Sequence, residues 1–394
     1  MNLTTETLPW HHRRHHCRGG FQNPEDERAR PLSIWKGLTW SARRLFHGKT
    51  HEPPSAQTPD AAALRRPPER LRVTWIGHTT VLVQTPAFTL LTDPIFSRRA
   101  SPVQFAGPSR LAPPALALRD LPEIDAVVLS HDHYDHCDQR SIEALYRRHE
   151  PTFFAPLGVA AHLREWGVGP IVELDWWQRA ALSPSGKAGP LRLTCTPARH
   201  FSGRSLFDRN STLWASWMIE APAAPGSDAH PPGGDGAGAN GISGNGAGTN
   251  GLAPTSGEAP VRVYFGGDTG DGSHFEKIGE RLPPADVALL PIGAFQPRAL
   301  MGPVHIGPEE AVRAFDALGA ARAVPTHWGT FDLAEETVQA PAEELRALTA
   351  RRGLAERFRV VAPGEMLSFR TPARGGLSTE PSNASNEPAL EPAS

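Results

Sequence analysis

Residues 131–136 read His131-Asp132-His133-Tyr134-Asp135-His136, three histidines and two aspartates within six positions. Neutral imidazole and carboxylate are the ligands that Zn²⁺ and similar divalent ions prefer, and a loop of this density can wrap around such an ion. The alternative is a polar surface loop that happens to be rich in histidine. Three more residues of the same chemistry stand beyond apolar runs: His200, Asp268 and His327. Together His131, His133, Asp135, His136, His200, Asp268 and His327 make seven N and O ligands. One tetrahedral ion cannot use so many; two ions, each with three or four protein contacts and a shared aspartate, can.

Ligands so far apart in the chain need strands that end at one edge. Ile124–Leu129, Leu191–Thr196, Val261–Phe265 and Ala323–Pro325 each have strand character and each runs into one of the ligand positions. In layered α/β folds, strand ends gather at one edge, and sites form there. Short β-rich runs at 71–75, 80–84 and 88–92 predict an antiparallel start to a sheet. Further strands are expected at 152–155, 171–175, 213–220, 287–291 and within 358–369. Helices are expected at 141–149 with Ser141 as N-cap, at 160–166 closed by Gly167, at 308–318 closed by Gly319, and at 342–352. Residues 95–122, with six prolines and glycines at 102, 107, 108, 113, 114 and 122, read as a loop that could wall a pocket.

The expected organisation is a basic arm and linker over 1–70, a folded domain carrying all the candidate ligands over 71–370 and a disordered tail over 371–394. Residues 221–260 are nearly all Gly, Ala, Asn, Pro and Ser, which cannot bury enough apolar surface to offset ordering. They are expected to be a disordered insertion between two hairpin strands. The arm carries 12 Lys and Arg against 7 Asp and Glu; of 40 and 42 in the whole chain, 28 and 35 remain for the mildly acidic rest. A net charge of −2 gives no electrostatic case for nucleic acid as partner. His11, His12, His15 and His16 flank Arg13 and Arg14, a pattern that fits a flexible basic arm or a metal tract. Trp35, Leu38, Ala42 and Leu45 fall on one helical face within 32–46. That helix would dock on the body, or else lie at a membrane surface or subunit interface.

Only Cys17, Cys137 and Cys195 are present, with no Cys-x-x-Cys pair, so no disulfide framework is expected. No apolar run of about 18 residues and no secretory apolar segment occur, which sets the expectation at cytoplasmic, with peripheral membrane contact through 32–46 as the second reading.

The order His-x-His-x-Asp-His, His, Asp, His resembles the metallo-β-lactamase fold superfamily. That resemblance implies an α/β four-layered αββα sandwich with a binuclear metal edge. It implies His131, His133 and His200 on one metal, Asp135, His136 and His327 on the second, and Asp268 bridging. A narrower set of strings covers most of 71–340: Trp75-Ile76-Gly77-His78, Thr92-Asp93-Pro94, Glu173-Leu174-Asp175-Trp176-Trp177, Pro291-Ile292-Gly293-Ala294-Phe295, Met301 to His305, and Thr326-His327-Trp328-Gly329-Thr330-Phe331. These, with Phe21-Gln22-Asn23-Pro24 in the arm, are similar to the N-acyl-phosphatidylethanolamine-hydrolysing phospholipase D group. The Gly-His and Asp-Pro motifs are shared with the ascorbate-phosphate lactonase-like group, so a soluble lactonase or other ester hydrolase is the alternative.

The resemblance implies a hydrolase with two divalent metal ions, Zn²⁺ by ligand type, that lower the pKa of a shared water. The expected partner is a lipid or small-molecule substrate, and related enzymes are often homodimers. Asp135 could orient the attacking water as well as ligate. His305 is a candidate catalytic or phosphate-contacting group, against a neutral reading as neighbour of a helix N-terminus. His78 and Asp93 are candidates for hydrogen bonding to a ligand histidine or for turn duty alone. Trp176 and Trp177 read as core or pocket wall in preference to a cation-binding pair, and Cys195 as strand core.

Overall fold

The computed structural model describes residues 2–24, 52–187, 189–223 and 259–370. The helix expected at 32–46, most of the 221–260 insertion and the tail from 371 lie outside the described residues.

Strands run in chain order β1 (Asn2–Thr7), β2 (His16–Cys17), β3 (Gly20–Phe21), β4 (Leu71–Gly77), β5 (Thr80–Gln84), β6 (Thr89–Thr92), β7 (Ala126–Val128), β8 (Thr152–Pro156), β9 (Ile171–Leu174), β10 (Gln178–Ser183), β11 (Leu191–Thr196), β12 (Ser216–Ala221), β13 (Val261–Phe265), β14 (Val287–Pro291), β15 (Arg322–Thr326) and β16 (Met366–Phe369). Apart from the small β2–β3 hairpin they form two seven-stranded sheets, ordered β1-β10-β11-β12-β13-β14-β15 and β16-β4-β5-β6-β7-β8-β9. The first sheet is antiparallel from β1 to β13 and parallel from β13 to β15. The second is antiparallel from β16 to β6 and parallel from β6 to β9.

Successive strand residues face opposite sides, and the apolar pattern uses both. Val81, Val83, Ala126 and Val128 pack with Leu193, Cys195 and Trp217 of the other sheet. Their neighbours Leu82 and Val127 face outward, onto Ile142, Leu145 and Leu163 of the helices Gln139–His149 and Ala160–Glu165. Each such fully buried aliphatic contributes roughly 1.5–3 kcal/mol of transfer free energy. The first sheet is covered by the helices His274–Arg281, Pro308–Leu318 and Ala340–Arg351, through Phe275, Ile278, Val312, Phe315 and Leu345. The result is the expected αββα sandwich.

β12 and β13 pair antiparallel from Ala221↔Val261 to Trp217↔Phe265, so the Gly-rich segment joins two hairpin strands, as its flanks predict. Several local expectations need correction. The helix expected at 141–149 starts at Gln139 with Asp138 at its N-cap, and Ser141 lies inside it, its Oγ donating to the Asp138 carboxylate. Residues 213–215 are not strand: Leu213 and Ala215 donate their N–H groups to the carbonyls of Leu157 and Ser130, just beyond β8 and β7, leaving the strand to begin at Ser216. Within 358–369 only Met366–Phe369 is strand, and Phe358 makes an isolated bridge to Ala323. β10 has no counterpart among the expected strands, because only Ala180 and Leu182 of Gln178-Arg179-Ala180-Ala181-Leu182-Ser183 are buried, too few to mark an apolar alternation. The largest departure is in the arm. β1 is exposed along its whole length yet pairs with β10 over six positions, Asn2↔Ser183 to Thr7↔Gln178. An edge strand held by backbone hydrogen bonds needs no buried face, so apolar periodicity cannot reveal it.

Candidate metal centre

β7 ends at Val128 and hands the chain to Leu129, Ser130 and the ligand-rich loop, at the edge where β6, β11, β13 and β15 also finish. Two contacts tie the sheets together there: Trp217 Nε1 of β12 donates to the Leu129 carbonyl at 2.9 Å, and Ala215 N–H to that of Ser130 at 2.9 Å. Beyond β13, Gly267 has φ +58°, and a Cβ on it would stand 2.5 Å from that of Ser130. Only glycine lets the Asp268 turn lie this close to the end of β7.

The seven sequence-marked residues converge. The ligating atoms of His131, His133 and His200 lie within 4.8 Å of one another, and so do those of Asp135, His136, His327 and His78. Asp268 stands between the groups. Its Oδ2 is 3.1 Å from His327 Nε2, 3.2 Å from His136 Nε2 and 3.8 Å from His200 Nε2. Nε2 of both His131 and His200 faces His133 Nδ1, at 2.8 and 3.3 Å.

Hydrogen bonds behind the cluster fix which ring nitrogen faces inward. His200 Nδ1 donates to the Val304 carbonyl at 2.9 Å. His136 Nδ1 meets Asp93 Oδ2 at 2.6 Å, and the Ser130 N–H donates to Asp93 Oδ1 at 2.7 Å. Burial pushes His131 and His200 well below the ordinary imidazole value, neighbouring imidazoles adding to it, so both are neutral as a ligand must be. Burial alone would raise Asp135 and Asp268, but His136 and His327 hold both carboxyls well below their usual range. Burial likewise opposes protonation of His136 and His327, yet the facing carboxylates lift His136 well above its ordinary value and His327 to about 9.

The buried atoms His136 Nε2, His327 Nε2 and Asp268 Oδ1 have no hydrogen-bond partner. An unsatisfied buried polar group costs about 1–3 kcal/mol, a cost that coordination to a cation would offset. The donor set, imidazole nitrogen with carboxylate oxygen, fits a borderline divalent ion.

The profile of the Beta-lactamase superfamily domain matches residues 89–229 and 251–328. This chain belongs to the metallo-β-lactamase superfamily. Within it, an uncharacterized protein of Mycobacterium tuberculosis is 43% identical over 283 residues, 71% of this chain; the match spans 64% of that relative's length. The N-acyl-phosphatidylethanolamine-hydrolyzing phospholipase D 1 of Caenorhabditis elegans is 34% identical over 290 residues, 72% of this chain and 70% of that one. The solved structure of Igni18, a metallo hydrolase from Ignicoccus hospitalis, shares the fold with a TM-score of 0.50 and 22% identity, covering 77% of this chain and 99% of its own.

The other residues marked in the sequence surround this cluster or lie in the core. His78 turns the backbone at φ +54°, and its Nε2 meets a ligand carboxylate, Asp135 Oδ2 at 2.9 Å, in place of the expected ligand histidine. Burial and the facing His327 lower it to about 3. Asp93 serves His136 through the 2.6 Å contact. His305 Nδ1 lies 3.7 Å from Asp268 Oδ2, its ring 5.1 Å from that of His200 and 5.3 Å from that of His327. Burial lowers His305 to about 4. Glu310, not His305, accepts the Gly307 N–H at the start of helix Pro308–Leu318. Trp176 and Trp177 are core, though Arg281 stands 5.0 Å over the Trp177 ring. Cys195 is buried in β11, as its strand position predicts. Ser130 and Asp132 contribute without having been marked. Asp132 Oδ1 accepts the Gly203 N–H at 2.8 Å, holding the loop after His200; its place inside the histidine motif is the signal that could have found it.

Proposed function

We propose that this chain is a hydrolase working with two divalent cations, Zn²⁺ by ligand type, and cleaving a phosphodiester of the N-acyl-phosphatidylethanolamine class. The observation that carries the two-cation reading is Asp268 Oδ2, within 3.8 Å of a histidine from each ligand group. His131, His133 and His200 would hold one cation, Asp135, His136 and His327 the other, with Asp268 shared. Bound there, the cations would supply an activated water and stabilise charge on the phosphoryl oxygens. Asp135, whose Oδ2 meets His78 Nε2 at 2.9 Å, would orient that water. His305 is the group we assign to the substrate side, as a phosphate contact or proton donor.

Support for a lipid substrate comes from the activity for which the nematode relative is named and from the surface beside the ligand loops. Phe105, Leu206 and Phe207 are 84%, 92% and 96% exposed. They sit on the 95–122 and 201–212 loops, whose residues Gln104 and Arg204 line one cavity with Tyr134 of the ligand motif. Large exposed apolar side chains grouped in this way mark contact with a partner or a lipid surface.

The test is a substrate panel with the metal-reconstituted full chain: N-acyl-phosphatidylethanolamine in mixed micelles, a soluble aryl phosphodiester, and lactones. Turnover of the lipid should exceed that of the lactones by at least about tenfold in kcat/KM, or about 1.4 kcal/mol in the barrier. Faster turnover of lactones would replace this reading with that of a lactonase. For His305→Ala, kcat should fall on the order of 10²-fold with metal content unchanged; activity within twofold of the parent would reduce His305 to packing.

A further inference from the structure

The paired histidines of the N-terminal segment meet at one carboxylate. β9 ends at Leu174, and Asp175 follows it, buried, at the corner where the chain crosses to β10 of the other sheet. Three imidazoles approach this carboxylate through the same ring nitrogen. His15 Nε2 lies 2.6 Å from Oδ1, and His11 and His16 Nε2 lie 3.0 and 2.8 Å from Oδ2. The ligating atoms of His15, His16 and Asp175 fall within 4.8 Å of one another. The arrangement matches in kind the one around Asp268, where two ring nitrogens stand 3.1 and 3.2 Å from one carboxylate oxygen.

A cluster of neutral hydrogen bonds is the competing account, since Asp175 Oδ1 also accepts the Trp176 N–H at 2.8 Å. Geometry favours the ion: three ring nitrogens converge within 3.0 Å on the one carboxylate. Buried carboxylates are paired with a cation or coordinate one. Among the described residues Asp175 has no arginine or lysine partner, only the three imidazoles. His15 is fully buried, stacked 4.2 Å from the Trp176 ring. His11 and His16, with side chains 15% and 30% exposed, leave a solvent side by which an ion could enter.

We propose that His11, His15, His16 and Asp175 form a divalent-cation site, separate from the ligand edge, that clasps the N-terminal segment to the body. His15, His16 and Asp175 would supply three ligands, and His11, whose Nε2 lies 3.0 Å from Asp175 Oδ2, would complete the four of a structural Zn²⁺-type site. The clasp reaches the other centre through the backbone. Leu8 N–H donates to the Trp177 carbonyl at 2.9 Å, Phe21 N–H to that of Asn210 at 2.8 Å, and Asn23 Nδ2 to that of His200 at 2.8 Å. The site is independent of the substrate and of the number of ions at the ligand edge.

The experiment uses the full chain, stripped with chelator and reloaded with Co²⁺. Metal per chain is measured for the parent, for H11A/H16A, and for H16Q, which alters only a partly exposed ring. Both variants should hold about one ion per chain fewer than the parent, in line with loss of a four-ligand site. Trypsin cleavage at Arg13, Arg14 and Arg18 should slow at least about tenfold when metal is added to the stripped parent, because metal binding and ordering of the ligand segment are coupled. Neither variant should show that protection. Equal metal content in parent and variants, or cleavage that is indifferent to metal, would overturn the site and leave a hydrogen-bonded histidine cluster.

Discussion

Replacing Asp268 with Asn should lower hydrolysis on the order of 10³-fold and lower the metal content of the purified protein. The reason lies in geometry. Oδ2 of this one residue faces His136, His327 and His200, which belong to both ligand groups. An amide keeps the size of the side chain but offers one neutral oxygen in place of an anion, so two cations would lose their shared counter-charge together. The fold should survive, because Asp268 follows β13 in a turn and belongs to neither apolar cluster. Elemental analysis beside a hydrolysis assay reads both effects. Full activity with full metal content in this variant would sink the two-cation assignment, whatever the substrate proves to be.

The second large effect is expected from a residue that would touch neither ion. Asp93→Asn should weaken metal binding by roughly 10–100-fold, the usual consequence of losing a carboxylate behind a ligand histidine. Asp93 is wholly buried, with one oxygen 2.6 Å from His136 Nδ1 and the other accepting the Ser130 N–H at 2.7 Å. It thereby holds both the tautomer of His136 and the path of the chain out of β7. Burial raises its carboxyl, and His136 and Ser130 pull the other way, so the site has already absorbed an unfavourable desolvation that the amide would not repay. Competition with a chromophoric chelator measures the affinity. A value within threefold of the parent would mean that packing alone orients His136.

These two residues show where sequence stops being legible. The ligands themselves are readable because their types are chemically specific and each follows an apolar strand: His131 to His136 after β7, His200 after β11, Asp268 after β13 and His327 after β15. Parallel or mixed sheets can bring such strand ends to one edge, and the topology here does so for β7, β11, β13 and β15. The residues behind the ligands carry no such mark. Asp93 is one of two turn residues with two candidate roles, and only the 2.6 Å contact separates them. Ser130 reads as an ordinary strand end. The arm is illegible for a different reason: β1 gains its order from the β10 backbone and its histidines from Asp175, about 160 positions away, and neither partner leaves a trace in local periodicity.

The pairing of β12 with β13 bears on how the chain can be altered. Ser216 and Phe265 lie at the ligand end of the hairpin, whereas Ala221 and Val261 face each other at the far end. The segment between them therefore departs and returns on the side of the sandwich opposite the ligands. Doubling the length of such a connection costs only about 0.6 kcal/mol of closure entropy. It is thus a ready port for engineering, where a reporter domain, an affinity handle or a new chain break could be grafted without changing which strand carries any ligand.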